Sequence, residues 1–202
     1  MNKSHLLVGL LMAPAVVGCG QVPPSSVAGK SAVVSAQSVQ AEAQLLDAAS
    51  KGRTDLVTAL LDKGARVDAQ NTNGYTALAL AAWRGHRDMV KLLVERGAQV
   101  DLGTQERKTP IHWAAVAGHA EILKDLVAVK ATVDNRDKEG WTPLAWASFN
   151  GRVEAVAVLI ASGADVNARN DRGVSVLELA RSSGFVLPNF EILRMLREAG
   201  AR

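Results

Sequence analysis

The pattern of apolar and polar residues over 109–129 predicts two short helices separated by a turn. Thr109 followed by Pro110 is typical of a helix start, because the hydroxyl caps the helix and proline has no amide to leave unpaired. Gly118 is suited to end this helix in a left-handed conformation. A second helix is predicted over about 120–129, since its apolar residues recur at the spacing of one helical face. Those residues are Ile122, Leu123, Leu126 and Val127.

This pattern repeats along the chain with a period of 33 residues. Three columns keep that step: Gly52, Gly85, Gly118, Gly151 and Gly184; Ala48, Ala81, Ala114, Ala147 and Ala180; and Val67, Val100, Val133 and Val166. A constant period is typical of stacked copies of one supersecondary unit. We therefore predict an all-α solenoid of about five stacked helix-turn-helix units with short hairpin-like loops. The helix pairs are expected to begin near Ala43, Thr76, Thr109, Thr142 and Ser175.

Three segments of the array resemble the ankyrin repeat. They are Thr109-Pro110-Ile111-His112-Trp113-Ala114-Ala115, Gly118-His119 and Gly163-Ala164-Asp165-Val166-Asn167-Ala168. The first matches the T-P-L-H-x-A signature of that family. The resemblance covers about residues 42–202, which we interpret as an ankyrin-repeat domain. It implies a protein that binds other proteins on a concave face.

The third unit departs from the pattern at two positions. Arg107 stands where the other units have Gly74, Gly140 and Gly173, and Lys130 stands at another glycine column. If those positions need a positive φ, this unit has a strained or reshaped loop.

The first residues of the chain have the features of an export signal. Lys3 precedes an apolar run that ends in small residues before Cys19, and such a run is typical of a signal peptide. The sequence Val-Val-Gly-Cys resembles the bacterial lipobox, which implies a lipoprotein signal peptide over 1–18 and a lipid on Cys19. Residues 19–41 are predicted to be the lipidated N-terminus and a flexible linker. The alternative is an ordinary signal peptide and a soluble secreted protein.

The single cysteine fits lipidation better than a disulfide, because Cys19 has no second cysteine to pair with. In bacterial lipoproteins the residue after the lipidated cysteine influences sorting. Gly20 is not the aspartate associated with inner-membrane retention, so we expect an outer-membrane protein facing the periplasm. Contact with the membrane is expected through this lipid alone.

Composition argues against nucleic acid as a partner. The net charge is only +3, and no concentrated basic patch of the kind that binds nucleic acid stands out. Nor does the chain contain a glycine-rich phosphate loop, a nucleophile elbow or a second cysteine for a metal site. We expect no enzymatic activity, no cofactor and no metal.

Two kinds of column, of histidine and of aspartate, contain side chains with possible chemistry. His86, His112 and His119 occupy ankyrin motif positions, and the resemblance implies that their imidazoles tie loops to helices. Asp68, Asp101 and Asp134, with Asn167, form a 33-residue column. A group repeated in every unit is expected to accept hydrogen bonds from backbone amides.

The resemblance also implies which side chains contact a partner. Positions after the loop tip and near the end of the first helix vary between ankyrin proteins. Here they include the residues that we predict to bind a partner: Tyr75, Trp83, Arg84, Lys108, Lys138, Trp141, Phe149 and Asn150. Aromatic and arginine side chains dominate the energetic centres of interfaces. Trp113 and Trp146 occupy a column that usually holds leucine, so we expect them in the core.

Two classes of function in the envelope are compatible with the sequence. One is a membrane-tethered, monomeric binding module that supports a periplasmic enzyme or neutralises a toxin. The other is a structural scaffold of the envelope with weak contacts. A soluble secreted ankyrin effector is a further alternative.

Overall fold

The computed structural model describes residues 26–182 and 190–202. This part of the chain contains ten helices and no β-strand. The helices are α1 (Ser26–Ser50), α2 (Thr54–Asp62), α3 (Ala77–Arg84), α4 (Arg87–Glu95), α5 (Pro110–Ala117), α6 (Ala120–Ala128), α7 (Pro143–Phe149), α8 (Val153–Ala161), α9 (Val176–Arg181) and α10 (Phe190–Glu198).

The helices pair in chain order and the pairs stack in two layers. The first helices form one layer, in which α3 packs between α1 and α5, and α7 packs between α5 and α9. The second helices form the other layer, from α2 through α4, α6 and α8 to α10. The predicted all-α stack of five helix-turn-helix units is confirmed.

The first helix of a unit begins and ends as the sequence predicts. Thr76 Oγ1 accepts a hydrogen bond from the Ala79 amide (3.1 Å), and Ser175 Oγ accepts one from Glu178 (3.2 Å). These side chains satisfy amides that a helix start leaves unpaired. At the other end, Gly118 has φ 88°, so α5 ends at a left-handed residue.

Histidines join the second and third units to the units before them. His86 Nε2 lies 3.0 Å from the Ser50 carbonyl oxygen, and His119 Nε2 lies 3.1 Å from that of Trp83. The predicted structural role of these imidazoles is confirmed.

The aspartate column also bonds to backbone, as predicted, but in the neighbouring unit. Asp101 Oδ1 accepts the amide of Thr132 (3.0 Å), and Asp134 Oδ1 accepts that of Asp165 (3.1 Å). Each carboxylate therefore fixes the spacing between two units.

The loop tips form a backbone ladder along one edge of the stack. Gln105 donates its amide to the Asn73 carbonyl (3.0 Å), and Lys138 donates its amide to Glu106 (2.9 Å). Asp171 continues the series by donating to Glu139 (3.1 Å). The four tips are thereby held side by side, and residues that follow each tip lie close to those of the next.

In the third unit, two loop positions adopt the left-handed backbone conformation with residues other than glycine. Arg107 has φ 59° and Lys130 has φ 65°, and they are the only non-glycine residues with positive φ in the described ranges. The condition stated for a strained loop, a positive φ at both positions, is therefore met in the third unit.

The start of the array differs from the expected linker. The structure has α1 continuous from Ser26 to Ser50, whereas the sequence analysis predicts a flexible coil up to residue 41. Residues 30–50 contain neither proline nor any further glycine, so nothing in the backbone interrupts a helix once it is nucleated. Residues 37–40 are exposed, and packing against the core begins at Ala41. The predicted signal peptide and Cys19 lie outside the described residues.

Candidate functional site

Three aromatic rings meet beside the loop tips of the second and third units. The Tyr75 and Trp113 ring centroids are 5.1 Å apart, and those of Trp83 and Trp113 are 5.4 Å apart. Tyr75 stacks on Trp83 at 6.3 Å with an interplanar angle of 24°. All three residues are half-buried, so their rings retain area that a partner can cover.

Two cations lie on the faces of these rings. Arg84 Cζ is 4.8 Å from the Trp83 ring centroid, and Lys108 Nζ is 5.5 Å from that of Trp113. Lys108 is closer to Trp146 in the next unit, at 4.0 Å. Cation–π attraction holds these charges at the surface. Lys108 therefore bridges two neighbouring units.

A second aromatic pair continues the surface into the fourth unit. Trp146 and Phe149 meet edge to face with centroids 6.1 Å apart. Trp146 also donates Nε1–H to Asp137 Oδ2 at 2.8 Å, which fixes the indole orientation. We call the set Tyr75, Trp83, Trp113, Trp146 and Phe149, with Arg84 and Lys108, the aromatic strip.

The other predicted contact residues lie around the strip with different degrees of exposure. Lys138 is exposed, and its Nζ is 3.9 Å from Glu106. Asn150 is half-buried and donates Nδ2–H to the Trp146 carbonyl (2.8 Å) at the end of α7. Asn150 therefore has a structural contact in addition to any partner contact.

Trp141, which we predict to bind a partner, does not lie on the open face. Trp141 is only 8% exposed and belongs to the hydrophobic core. Its backbone explains this position, because the Trp141 amide donates to Asp137 and its carbonyl lies 3.2 Å from His112 Nε2. These bonds hold residue 141 against the layer of first helices. The expectation that its indole is open to a partner is corrected.

The expectation that Trp113 and Trp146 are core residues is confirmed only in part, because Trp146 packs against the hydrophobic core but neither residue is fully buried. Both are half-buried, and both belong to the aromatic strip. Sequence reasoning assigned their column to the core because it usually holds leucine. The signal that it missed is Lys108, one unit before Trp146 and adjacent to the helix that carries Trp113.

The structure offers little for catalysis in the described ranges. No group of three or more histidine, cysteine, aspartate or glutamate side chains there can hold a metal ion. His112 is buried, and its burial lowers its pKa to about 4. Its Nδ1 accepts the Thr109 amide (3.1 Å) at the start of α5, so the imidazole is neutral and structural.

Family models match most of this array. A model of ankyrin repeats (3 copies) matches residues 99–170 and 126–202, and a model of ankyrin repeats (many copies) matches residues 45–94. The chain belongs to the ankyrin-repeat family. No curated protein gives a significant match.

Membership of the ankyrin-repeat family indicates a protein–protein interaction module. Ankyrin-repeat proteins are in general non-enzymatic, which agrees with a surface built from rings and cations. Among the helices that the structure describes, none combines the length and apolarity needed to cross a membrane.

Proposed function

We propose that this ankyrin-repeat protein is a non-enzymatic binding module that holds a protein partner on its aromatic strip. We further propose that a lipid on Cys19 tethers it to the bacterial envelope, in the outer membrane and facing the periplasm. The observation that carries the first part is the cluster of Tyr75, Trp83 and Trp113 with cations on the ring faces.

The composition of the strip supports a protein partner. Indole, phenol and guanidinium side chains are enriched at the energetic centres of protein interfaces, because they bury a large area at low entropic cost. The rings here are already held by one another and by Lys108. Less conformational entropy is therefore lost when a partner covers them.

The cavity beside the strip is small for a metabolite. Its volume is about 180 Å³, between the tips of the second and third units. Sites for small molecules are usually roughly 300–1,000 Å³. A cavity of this size suits one side chain of a protein partner better than a free ligand.

The envelope part of the proposal rests on the sequence before Ser26. A charged start, an apolar run and a sole cysteine after Val-Val-Gly support lipidation of Cys19. A tethered interaction module in this compartment fits support of a periplasmic enzyme or neutralisation of a toxin. We propose that it acts as a monomer.

The test is capture of a partner from an envelope extract. The natural protein is expected to retain a specific protein, and Trp83→Ala is expected to reduce its affinity by about 2 kcal/mol or more, as for a central interface residue. The matched control is Phe190→Ala, which removes a 74% exposed aromatic ring on α10, outside the strip. Affinities measured by titration calorimetry decide the comparison. Equal binding by the Trp83→Ala variant would contradict a role for the strip.

A further inference from the structure

Arg84 is an exposed cation of the aromatic strip whose N–H groups are free. It lies at the end of α3, and its Cζ is 4.8 Å from the Trp83 ring centroid. The ring attracts the charge of the guanidinium and leaves its N–H donors unused. In the part of the chain that the structure describes, Arg84 forms no ion pair and donates no side-chain hydrogen bond. Its position is therefore fixed by the indole, while its donors face solvent.

Lys108 is a second cation of the strip without an acidic partner. Its Nζ is 5.5 Å from the Trp113 ring centroid and 4.0 Å from that of Trp146. The residue is half-buried, and its ammonium forms neither an ion pair nor a hydrogen bond within the described ranges. Aromatic rings stabilise such a charge but do not cancel it. A carboxylate brought to the strip would therefore meet an uncompensated ammonium.

The acidic side chains near these cations are engaged elsewhere. Glu106 lies 3.9 Å from Lys138 Nζ in the next loop tip. Asp137 is only 3% exposed, and its two oxygens accept two backbone amides and the Trp146 indole N–H. It lies at the nitrogen edge of the indole and accepts that bond inside the fold. Neither acid is paired with a cation of the strip.

Other arginines of the array are paired with a carboxylate of a neighbouring unit. Arg87 Nε lies 2.6 Å from Asp125, and Arg136 Nη2 lies 2.8 Å from Asp171. Arg84 has a ring in place of such an acid. A planar guanidinium with free donors matches a carboxylate through two parallel hydrogen bonds. The strip thus combines apolar rings with cations whose preferred counter-ions are absent from the described chain.

We infer that Arg84 and Lys108 bind carboxylates of the protein partner, whose apolar or aromatic side chains cover the exposed parts of the rings. This inference rests on the proposed function of the aromatic strip. Arg84 forms the bidentate pair, and Lys108 attracts a second acid as a point charge. Charge complementarity then selects a partner segment that is acidic on either side of an apolar residue.

The test is selection of random phage-displayed peptides on the purified protein. Selected peptides are expected to be enriched in aspartate or glutamate beside aromatic or aliphatic residues. Replacing the critical acid of a selected peptide by its amide is expected to weaken binding about tenfold, as for loss of a charge-assisted hydrogen bond. Fluorescence anisotropy of the labelled peptide measures the change.

Two variants of Arg84 separate its charge from its geometry. Arg84→Gln is expected to weaken a selected acidic peptide about tenfold. Arg84→Lys keeps the charge but not the planar fork, so a loss of about threefold is expected. The matched control is Lys91→Gln, which makes the same change in net charge at an exposed residue of α4, in the layer of second helices. It is expected to bind the peptide as the natural protein does.

A double-mutant cycle identifies the cation that each acid meets. On Arg84→Gln or Lys108→Gln, the amide peptide should bind nearly as well as the acidic one, because the carboxylate has already lost its partner. Thermal melting followed by circular dichroism verifies that both variants remain folded. An undiminished tenfold preference for the acidic peptide on both variants would overturn the inference.

The remaining outcomes separate this inference from the proposed function. Peptides without acidic enrichment that lose binding on Trp83→Ala would overturn the carboxylate sites and support the aromatic strip. Equal weakening by Arg84→Gln and Lys91→Gln would also overturn them, since net charge alone would then explain the binding. Peptides that bind Trp83→Ala and Arg84→Gln like the natural protein, or a library from which nothing is retained, would count against both.

Discussion

At the scale of single residues, Arg107 and Lys130 carry backbone strain that the other units avoid with glycine. Their φ values are 59° and 65°. A side chain at such an angle crowds its own backbone, which costs about 1 kcal/mol. Both residues belong to the third unit, where Arg107 adjoins Lys108 of the aromatic strip and Lys130 follows α6. The local cost is therefore concentrated in the third unit.

Replacing these two residues by glycine is expected to stabilise the protein. Arg107→Gly and Lys130→Gly should each raise the free energy of unfolding by up to about 1 kcal/mol, since relief of strain outweighs the added freedom of the unfolded chain. Urea unfolding followed by circular dichroism measures this. Lys124→Gly is the opposing control, because position 124 lies inside helix α6 and glycine there destabilises. Destabilisation by both loop substitutions would contradict the strain argument.

At the scale of elements, His112 joins α5 to the following unit. Its Nδ1 accepts the Thr109 amide and its Nε2 lies 3.2 Å from the Trp141 carbonyl oxygen. Nδ1 can accept while Nε2 donates only when the imidazole is protonated on Nε2 alone. The neutral form is thus built into the junction between the third and fourth units.

This junction predicts a loss of stability in mild acid. Burial lowers the pKa of His112 from 6.5 to about 4, so between these values the unfolded chain binds the proton and the folded chain does not. The stabilising contribution is present above about pH 6.5 and is lost as the pH falls towards 4, by roughly 3 kcal/mol in all. Urea unfolding at several pH values measures it.

The matched variant for this prediction is His112→Gln. Glutamine does not titrate, so the variant should be less stable at neutral pH and should lose less stability between pH 6.5 and 4. Equal pH dependence of the two proteins would assign the acid sensitivity to other groups.

The 33-residue period predicts where the helices lie, but it does not predict how exposed each surface residue is. Helix starts at Thr76 and Ser175 and the positive φ of Arg107 follow from local chemistry, and each is observed. The exposure of Trp113 and the burial of Trp141 depend on how closely neighbouring loop tips pack. The length of the repeat carries no information about that packing. The helical conformation of residues 26–41 was missed because the segment lacks an apolar stripe that repeats.

At the scale of the whole molecule, the proposed tether sets where the strip acts. Growth of the producing bacterium with a radioactive fatty acid is expected to label the natural protein and leave Cys19→Ala unlabelled. Fractionation should then place the natural protein in the outer membrane and the variant in a soluble fraction. A label retained by Cys19→Ala would contradict lipidation at this residue, whatever the aromatic strip binds.

The ladder of loop tips has a consequence for how such a protein changes over evolutionary time. Each tip donates one amide to the tip before it, from Gln105 to Asn73 and onward to Asp171. Because every junction uses the same bond, duplication of an internal unit would lengthen the edge without altering the existing junctions. New specificity can then arise by adding a copy and varying its surface, while the older copies keep their original contacts.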